Sequence, residues 1–149
     1  MGEASGSAVL LEDTFRVSSV DREGKIFQRV SRIEGSSQLY EVQITLDVHS
    51  ELYPIEVGQY HSLLLASSLS LDGTENKGSY NIHENQSNTL LSKYSYCMYG
   101  KIFKHAMDRN LLVVHISFGG LLMTITGQPA ELAQLEPDSL VYLLLRKLY

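Results

Sequence analysis

The residues in this 149-residue chain that could do chemistry are scattered. His49, His61, His83, His105 and His115 stand far apart, with no His-x-x-x-His or comparable spacing to bring two imidazoles onto one metal. A lone strand histidine is ordinarily a packed or solvated residue, and each of the five is read that way. The single cysteine, Cys97, excludes an intramolecular disulfide and lacks the thiolate partners of a cysteine zinc site. Ile116-Ser117-Phe118-Gly119 has His115 where a nucleophile elbow needs its first glycine. Leu71-Asp72-Gly73-Thr74 lacks the leading aspartate of a phosphate-transfer loop and reads as a β-turn. No Walker-type loop and no dinucleotide fingerprint occurs, and no two carboxylates can be paired for acid-base work from sequence. The chain is expected to have no catalytic residue, no cofactor and no metal.

The elements that carry these residues are strand-like. Leu111–Phe118 and residues 121–125 are apolar runs joined by Gly119-Gly120. Two glycines tolerate positive φ, so this link predicts a tight hairpin or a bulged turn. Before it, residues 9–20 predict an opening strand anchored by Leu10, Phe15, Val17 and Val20, closed by a turn at residues 21–24. Residues 25–33 predict a second strand, and Gly35-Ser36-Ser37 a turn after it. Residues 38–49 alternate: Tyr40, Val42, Ile44, Leu46 and Val48 fall on one side, Glu41, Gln43, Thr45 and Asp47 on the other. That is an antiparallel strand with one wet face. Tyr53-Pro54 and Gly58 mark a turn, and residues 60–69 a further strand.

Residues 94–104 are aromatic and β-prone, predicting another strand, followed by a turn at residues 107–110. Residues 129–135 predict one or two helical turns starting on Pro129, and residues 140–148 a strand buried on both faces. About eight strands with almost no helix mean a sandwich or closed barrel, and closure hides the edges. A chain of this length holds a single domain, residues 1–149. Residues 1–8 are expected to be a flexible tail. Residues 70–93, rich in Asn, Ser, Gly and charge, are expected to be a long mobile surface loop, pinned near Tyr80.

Residues 1–8 lack an apolar segment and do not read as a secretory signal, so the acceptor pattern Asn85-Gln86-Ser87 is idle. No run approaches the roughly 18 apolar residues of a membrane-spanning helix, and no membrane partner is expected. The net charge of -5 excludes a surface that is basic throughout, although local patches remain open. Two candidate patches exist. Period-2 geometry over residues 25–33 puts Lys25, Phe27 and Arg29 on one face, with Arg32 close by and Ile26 and Val30 opposite. Such a face could hold phosphates and stack a base of single-stranded nucleic acid; the plainer reading is a solvated face with Phe27 folded over the core edge. Tyr94, Tyr96, Tyr99, Phe103 and Phe118 cluster in sequence near Lys101 and Lys104, which suits base stacking, an anchored protein interface or simple core filling. No small-molecule substrate is implied.

Three longer stretches carry a family resemblance: Tyr96-Cys97-Met98-Tyr99-Gly100-Lys101, Ser117-Phe118-Gly119-Gly120-Leu121-Leu122-Met123, and Val141-Tyr142-Leu143-Leu144-Leu145-Arg146-Lys147-Leu148. Leu11-Glu12-Asp13 with Phe15, Gly24-Lys25 with Phe27, Arg29-Val30-Ser31-Arg32, Leu46-Asp47-Val48 and Tyr53-Pro54 follow the same pattern in order. From about residue 9 onward the chain resembles the small eighth subunit shared by the eukaryotic nuclear RNA polymerases I, II and III. The resemblance implies an eight-stranded antiparallel barrel related to the oligonucleotide-binding (OB) fold and a non-catalytic role in the nucleus. It also implies docking on the largest polymerase subunit, within the rest of the complex, and a weak affinity for single strands. An interface of that kind buries on the order of 1,000 Å² around aromatic anchors, here expected at Tyr96, Tyr99, Phe118 and Met123. The alternative from the residues alone is a free-standing, weak, non-specific single-strand binder using Lys25, Phe27, Arg29 and Arg32.

Overall fold

A computed structural model describes residues 8–25, 27–69 and 93–149. Eight strands follow in order: β1 (Val9–Val20), β2 (Val30–Ser37), β3 (Gln43–His49), β4 (Tyr60–Ala66), β5 (Tyr96–Asp108), β6 (Leu111–Phe118), β7 (Leu121–Gly127) and β8 (Leu140–Lys147). They close into one antiparallel barrel, ordered β1-β2-β3-β7-β6-β5-β8-β4, with β4 returning to β1. The expected closed eight-stranded barrel is thus the observed architecture. Closure pairs both sides of every strand over part of its length, which removes the open edges a flat sheet would expose.

Alternation along each strand fills the interior. Phe15 and Val17 of β1, Ile33 of β2, Ile44, Leu46 and Val48 of β3, and Leu63 and Leu65 of β4 point inward with their counterparts on β5 to β8. Full burial of one such side chain contributes roughly 1.5–3 kcal/mol, so the interior is the main source of stability. A smaller cluster lies outside the barrel wall, where Leu64 and Ala66 of β4 meet Leu144 of β8 and Ala8. β8 is therefore apolar on both faces, as its sequence predicts.

Turn chemistry sets the hairpins. Gly119 and Gly120 have φ of 65° and 105°, so both central residues of the β6–β7 link are left-handed, the conformation a two-residue hairpin demands. The β5–β6 link does the same with Arg109 (53°) and Asn110 (73°), the second of which tolerates it well.

Three local expectations are corrected. Residues 25–29 form no strand; β2 starts at Val30, and Phe27 makes one isolated bridge to Val30 across a turn. Gly35-Ser36-Ser37 is no turn but the end of β2, because a Cβ on Gly35 would lie 2.4 Å from the Arg16 carbonyl oxygen. Glycine there lets two strands approach, and the composition of the segment imitates a turn. Residues 129–134 form successive hydrogen-bonded turns and not a helix, with Leu132 and Leu135 buried beneath the barrel end. The expectations for residues 1–7, for Ile26 and for residues 70–92, among them Tyr80, His83 and the two short motifs of that stretch, lie outside the described residues.

Candidate functional site

The four residues expected to meet single strands sit on the β1–β2 turn and the start of β2. Only Arg32 is on a strand, so the period-2 argument that grouped Lys25, Phe27 and Arg29 has no strand to act on. Phe27 is 64% exposed and lines a groove of about 220 Å³ with Val30, Arg32, Asp47, Gly120 and Leu121. Each cation, however, already has a carboxylate. Arg32 makes a two-pronged bond to Asp47 at 2.7 and 3.0 Å, Arg29 lies 3.6 Å from Glu51, and Lys25 lies 3.9 Å from Asp21. Beside them Arg22 binds Glu34 at 2.9 Å, a hydrogen bond that holds the Glu34 carboxyl below its ordinary value. A phosphate here would compete with internal partners and face the unpaired carboxylate of Glu23, so the surface is not an electropositive footprint. Asp47 has a second duty: its Oδ2, shared with Arg32, also accepts the Leu122 N–H at 3.0 Å, extending the β3–β7 ladder one residue past the last backbone pair.

The four expected anchors divide. Phe118 and Met123 are buried core residues. Tyr96 is turned inward, stacked on Tyr53 at 5.1 Å, and its hydroxyl accepts the His49 N–H at 2.9 Å. These three pack into the barrel core. Tyr99 alone is outside, 49% exposed, with its ring 4.5 Å from that of Tyr142. Tyr96 and Tyr99 are three positions apart, an odd separation, so one strand must aim them at opposite faces. That parity was available in the sequence.

The outer surface around Tyr99 contains residues that sequence reasoning left unassigned. On β8, Tyr142 is the register partner of Tyr99, and Leu140 that of Lys101. A bulge between Ile102 and Lys104 turns both Phe103 and Lys104 outward, with Phe103 6.0 Å from His115 on β6. Phe103 and Leu140 are each about half exposed, at 50% and 52%. Burial raises the Tyr142 hydroxyl above its ordinary value, with Tyr99 and Cys97 adding to the effect. Cys97, beside them, is pushed up to about 11 by burial and stays a thiol.

The remaining titratable groups among the described residues assemble nothing reactive. Among the described residues no three of His, Cys, Asp and Glu converge on a metal-sized site. His61 is fully buried, stacked on Phe15, with Nδ1 2.7 Å from the Tyr53 hydroxyl and Nε2 3.1 Å from Gln59 Oε1. Gln59 Oε1 also accepts the Glu56 N–H, so Nε2–H donates to it and Nδ1 accepts from Tyr53. Burial, with Lys147 nearby, lowers the imidazole to about 4. His105 Nε2–H donates to the Leu135 carbonyl at 2.6 Å, and His115 Nδ1 contacts the Thr124 hydroxyl at 3.2 Å. Ser117, the residue of the imperfect elbow, accepts the Gly120 N–H with its hydroxyl and serves the hairpin.

The family model described as RNA polymerase Rpb8 matches residues 12–147. A Dictyostelium discoideum protein, DNA-directed RNA polymerases I, II, and III subunit rpabc3, is 41% identical over 95% of this chain and 99% of its own length. The Arabidopsis thaliana DNA-directed RNA polymerases II, IV and V subunit 8B is 38% identical over 97% and 99%. The Saccharomyces cerevisiae DNA-directed RNA polymerases I, II, and III subunit RPABC3 is 34% identical over 95% and 99%.

Proposed function

Because this chain belongs to the RNA polymerase Rpb8 family, we propose that it is a non-catalytic structural subunit of DNA-directed RNA polymerase, common to polymerases I, II and III, that acts in the nucleus. The match over residues 12–147 carries this reading, since it runs from within β1 to the last residue of β8 and so reaches all eight strands. Polymerase II occurs in all three relatives' names given above, which makes it the firmest member of the set. A rigid closed barrel suits a fitted part: its stability comes from its own core, leaving outward side chains for a larger neighbour. That neighbour is the largest polymerase subunit, and the unit that docks is a single domain spanning residues 1–149. The test is affinity capture of the tagged full chain from nuclear extract. Recovery of the large polymerase subunits is the expected result; a stable bait that brings down none of them overturns the reading.

One observation keeps a second reading in view, the exposed Phe27 ring beside the β2–β3 groove, where a base could stack. The internal ion pairs make single-strand binding a minor activity at most. Fluorescence anisotropy with a labelled oligothymidine at low salt decides it: affinity that disappears in Lys25→Ala/Arg29→Ala/Arg32→Ala supports it, and no detectable binding removes it.

A further inference from the structure

Charge is divided around the barrel. The contiguous strands β4, β8, β5 and β6 carry Lys101, Lys104, Arg146 and Lys147 against one acidic residue, Asp108, at the far tip of β5. The remaining half holds Glu12, Asp13, Glu34 and Asp47 against Arg16 and Arg32, and the turns beside it add Asp21, Glu23, Glu51 and Glu56 against Arg22, Lys25 and Arg29. The strands of one side are therefore nearly free of acid in a chain of net charge -5, with Glu131, Glu136 and Asp138 confined to the β7–β8 connection at its edge.

Apart from Lys101, the cations on that side differ from those of the β1–β2 turn in lacking a carboxylate partner among the described residues. Lys104 and Lys147 have no carboxylate within ion-pair distance among the described residues. Lys101 lies 4.0 Å from Asp138, whose side chain is almost wholly in solvent, a contact worth little. The Arg146 guanidinium rests over the Tyr94 ring at 5.7 Å, which fixes its position and leaves its charge unneutralised. Between these cations stand the exposed Tyr99, Phe103, Leu140 and the half-buried Tyr142. Single exposed apolar residues need no explanation; a contiguous aromatic patch ringed by unpaired cations does.

Resting on the polymerase reading above, we infer that the outer face of β5 and β8 is the docking surface, and that it receives a carboxylate-bearing, partly apolar segment of another polymerase subunit. Charge complementarity selects this occupant. Tyr99 and Tyr142 supply the desolvated centre, while Lys101, Lys104 and Arg146 pair with carboxylates at the rim and steer the encounter.

Two arms test the surface separately from the polymerase reading. In the first, tagged full chains carrying Lys101→Glu/Lys104→Glu or Tyr99→Ala are expressed in cells and polymerase recovery is compared with the unmodified chain. Lys25→Glu/Arg29→Glu provides the same charge change on the opposite half, and circular dichroism verifies that each variant folds. Recovery should fall about ten-fold or more for the first two and stay near normal for the control. The reverse pattern overturns the inference. In the second arm, a synthetic Glu- and Phe-containing peptide is titrated into the purified, isotope-labelled chain. Amide shifts confined to β5 and β8, weakening with added salt, support the surface; shifts confined to β2 and β3, or none at low salt, overturn it. Stronger displacement of the same β5 and β8 amides by oligothymidine than by the peptide also overturns it, in favour of nucleic acid. If the unmodified chain captures no polymerase while the peptide still maps to β5 and β8, the polymerase reading fails and the surface stands.

Discussion

Protonation of His61 is the perturbation whose cost the structure fixes best. The imidazole is sealed in the barrel, donating to Gln59 and accepting from Tyr53, and charging it would both desolvate a cation and turn Nδ1 from acceptor to donor against the Tyr53 hydroxyl. Its value therefore falls from 6.5 to about 4 in the folded chain. The unfolded chain takes up this proton first, so the contribution is complete above about pH 6.5. It shrinks as pH drops through the interval to about 4 and is gone below that. At 1.36 kcal/mol per pH unit, that interval comes to about 3 kcal/mol, roughly 10 °C in melting temperature for a domain of this size. Urea unfolding of the native chain and of His61→Gln between pH 7.5 and about 4.5 isolates the term, because carboxylate titrations common to both cancel in the difference. The native chain should lose about 2–3 kcal/mol more than the variant over this range. His61 should also resist titration in NMR spectra until well below pH 6. Identical pH dependence in the two proteins, or a midpoint near 6.5, would refute the sealed, neutral histidine.

Further expectations concern backbone support and packing. The Asp13 carboxylate accepts the N–H groups of Thr14, Leu39 and Tyr40 at 2.7–3.0 Å, holding the β2–β3 connection. Asp13→Ala should cost about 1–3 kcal/mol in urea unfolding, since three part-buried amide donors lose a charged acceptor. A Cβ at Gly100 would lie 2.2 Å from the Ser117 carbonyl oxygen and 2.7 Å from the Phe118 ring, so Gly100→Ala must push β5 off β6. A loss of about 3 kcal/mol or more, or failure to accumulate as folded protein, is expected. With its thiol raised from 9.0 to about 11, Cys97 should react with a thiolate-selective reagent near pH 8 about 100-fold more slowly folded than unfolded. Equal rates would show that the outer cluster does not shield it.

What could be read from the sequence was whatever a local pattern determines. The Gly119-Gly120 hairpin and the doubly apolar β8 each follow from neighbours in the chain and were found where expected, whereas the strand expected over residues 38–49 begins only at Gln43 and buries Asp47 on its expected wet face. The errors have a common origin in contacts made between distant residues. Arg29 and Arg32 look like free cations until the fold brings up Glu51 and Asp47. Gly35 looks like a turn residue until Arg16 is placed across from it. The pairing of Tyr99 with Tyr142 joins strands that are far apart in sequence, and no periodicity announces it. The inward aim of Tyr96 was the exception, since its parity relative to Tyr99 is a local property.

The place of β8 in the wall has a consequence for synthesis. This strand is made after the other seven, yet it lies between β4 and β5 and its pairing with both closes the wall there. Until the ribosome has released it, the nascent chain holds two unsatisfied strand borders and an uncovered apolar interior, the kind of species that associates with its own copies. A premature stop anywhere before Leu140 should thus yield insoluble or rapidly degraded product and not a shorter working subunit.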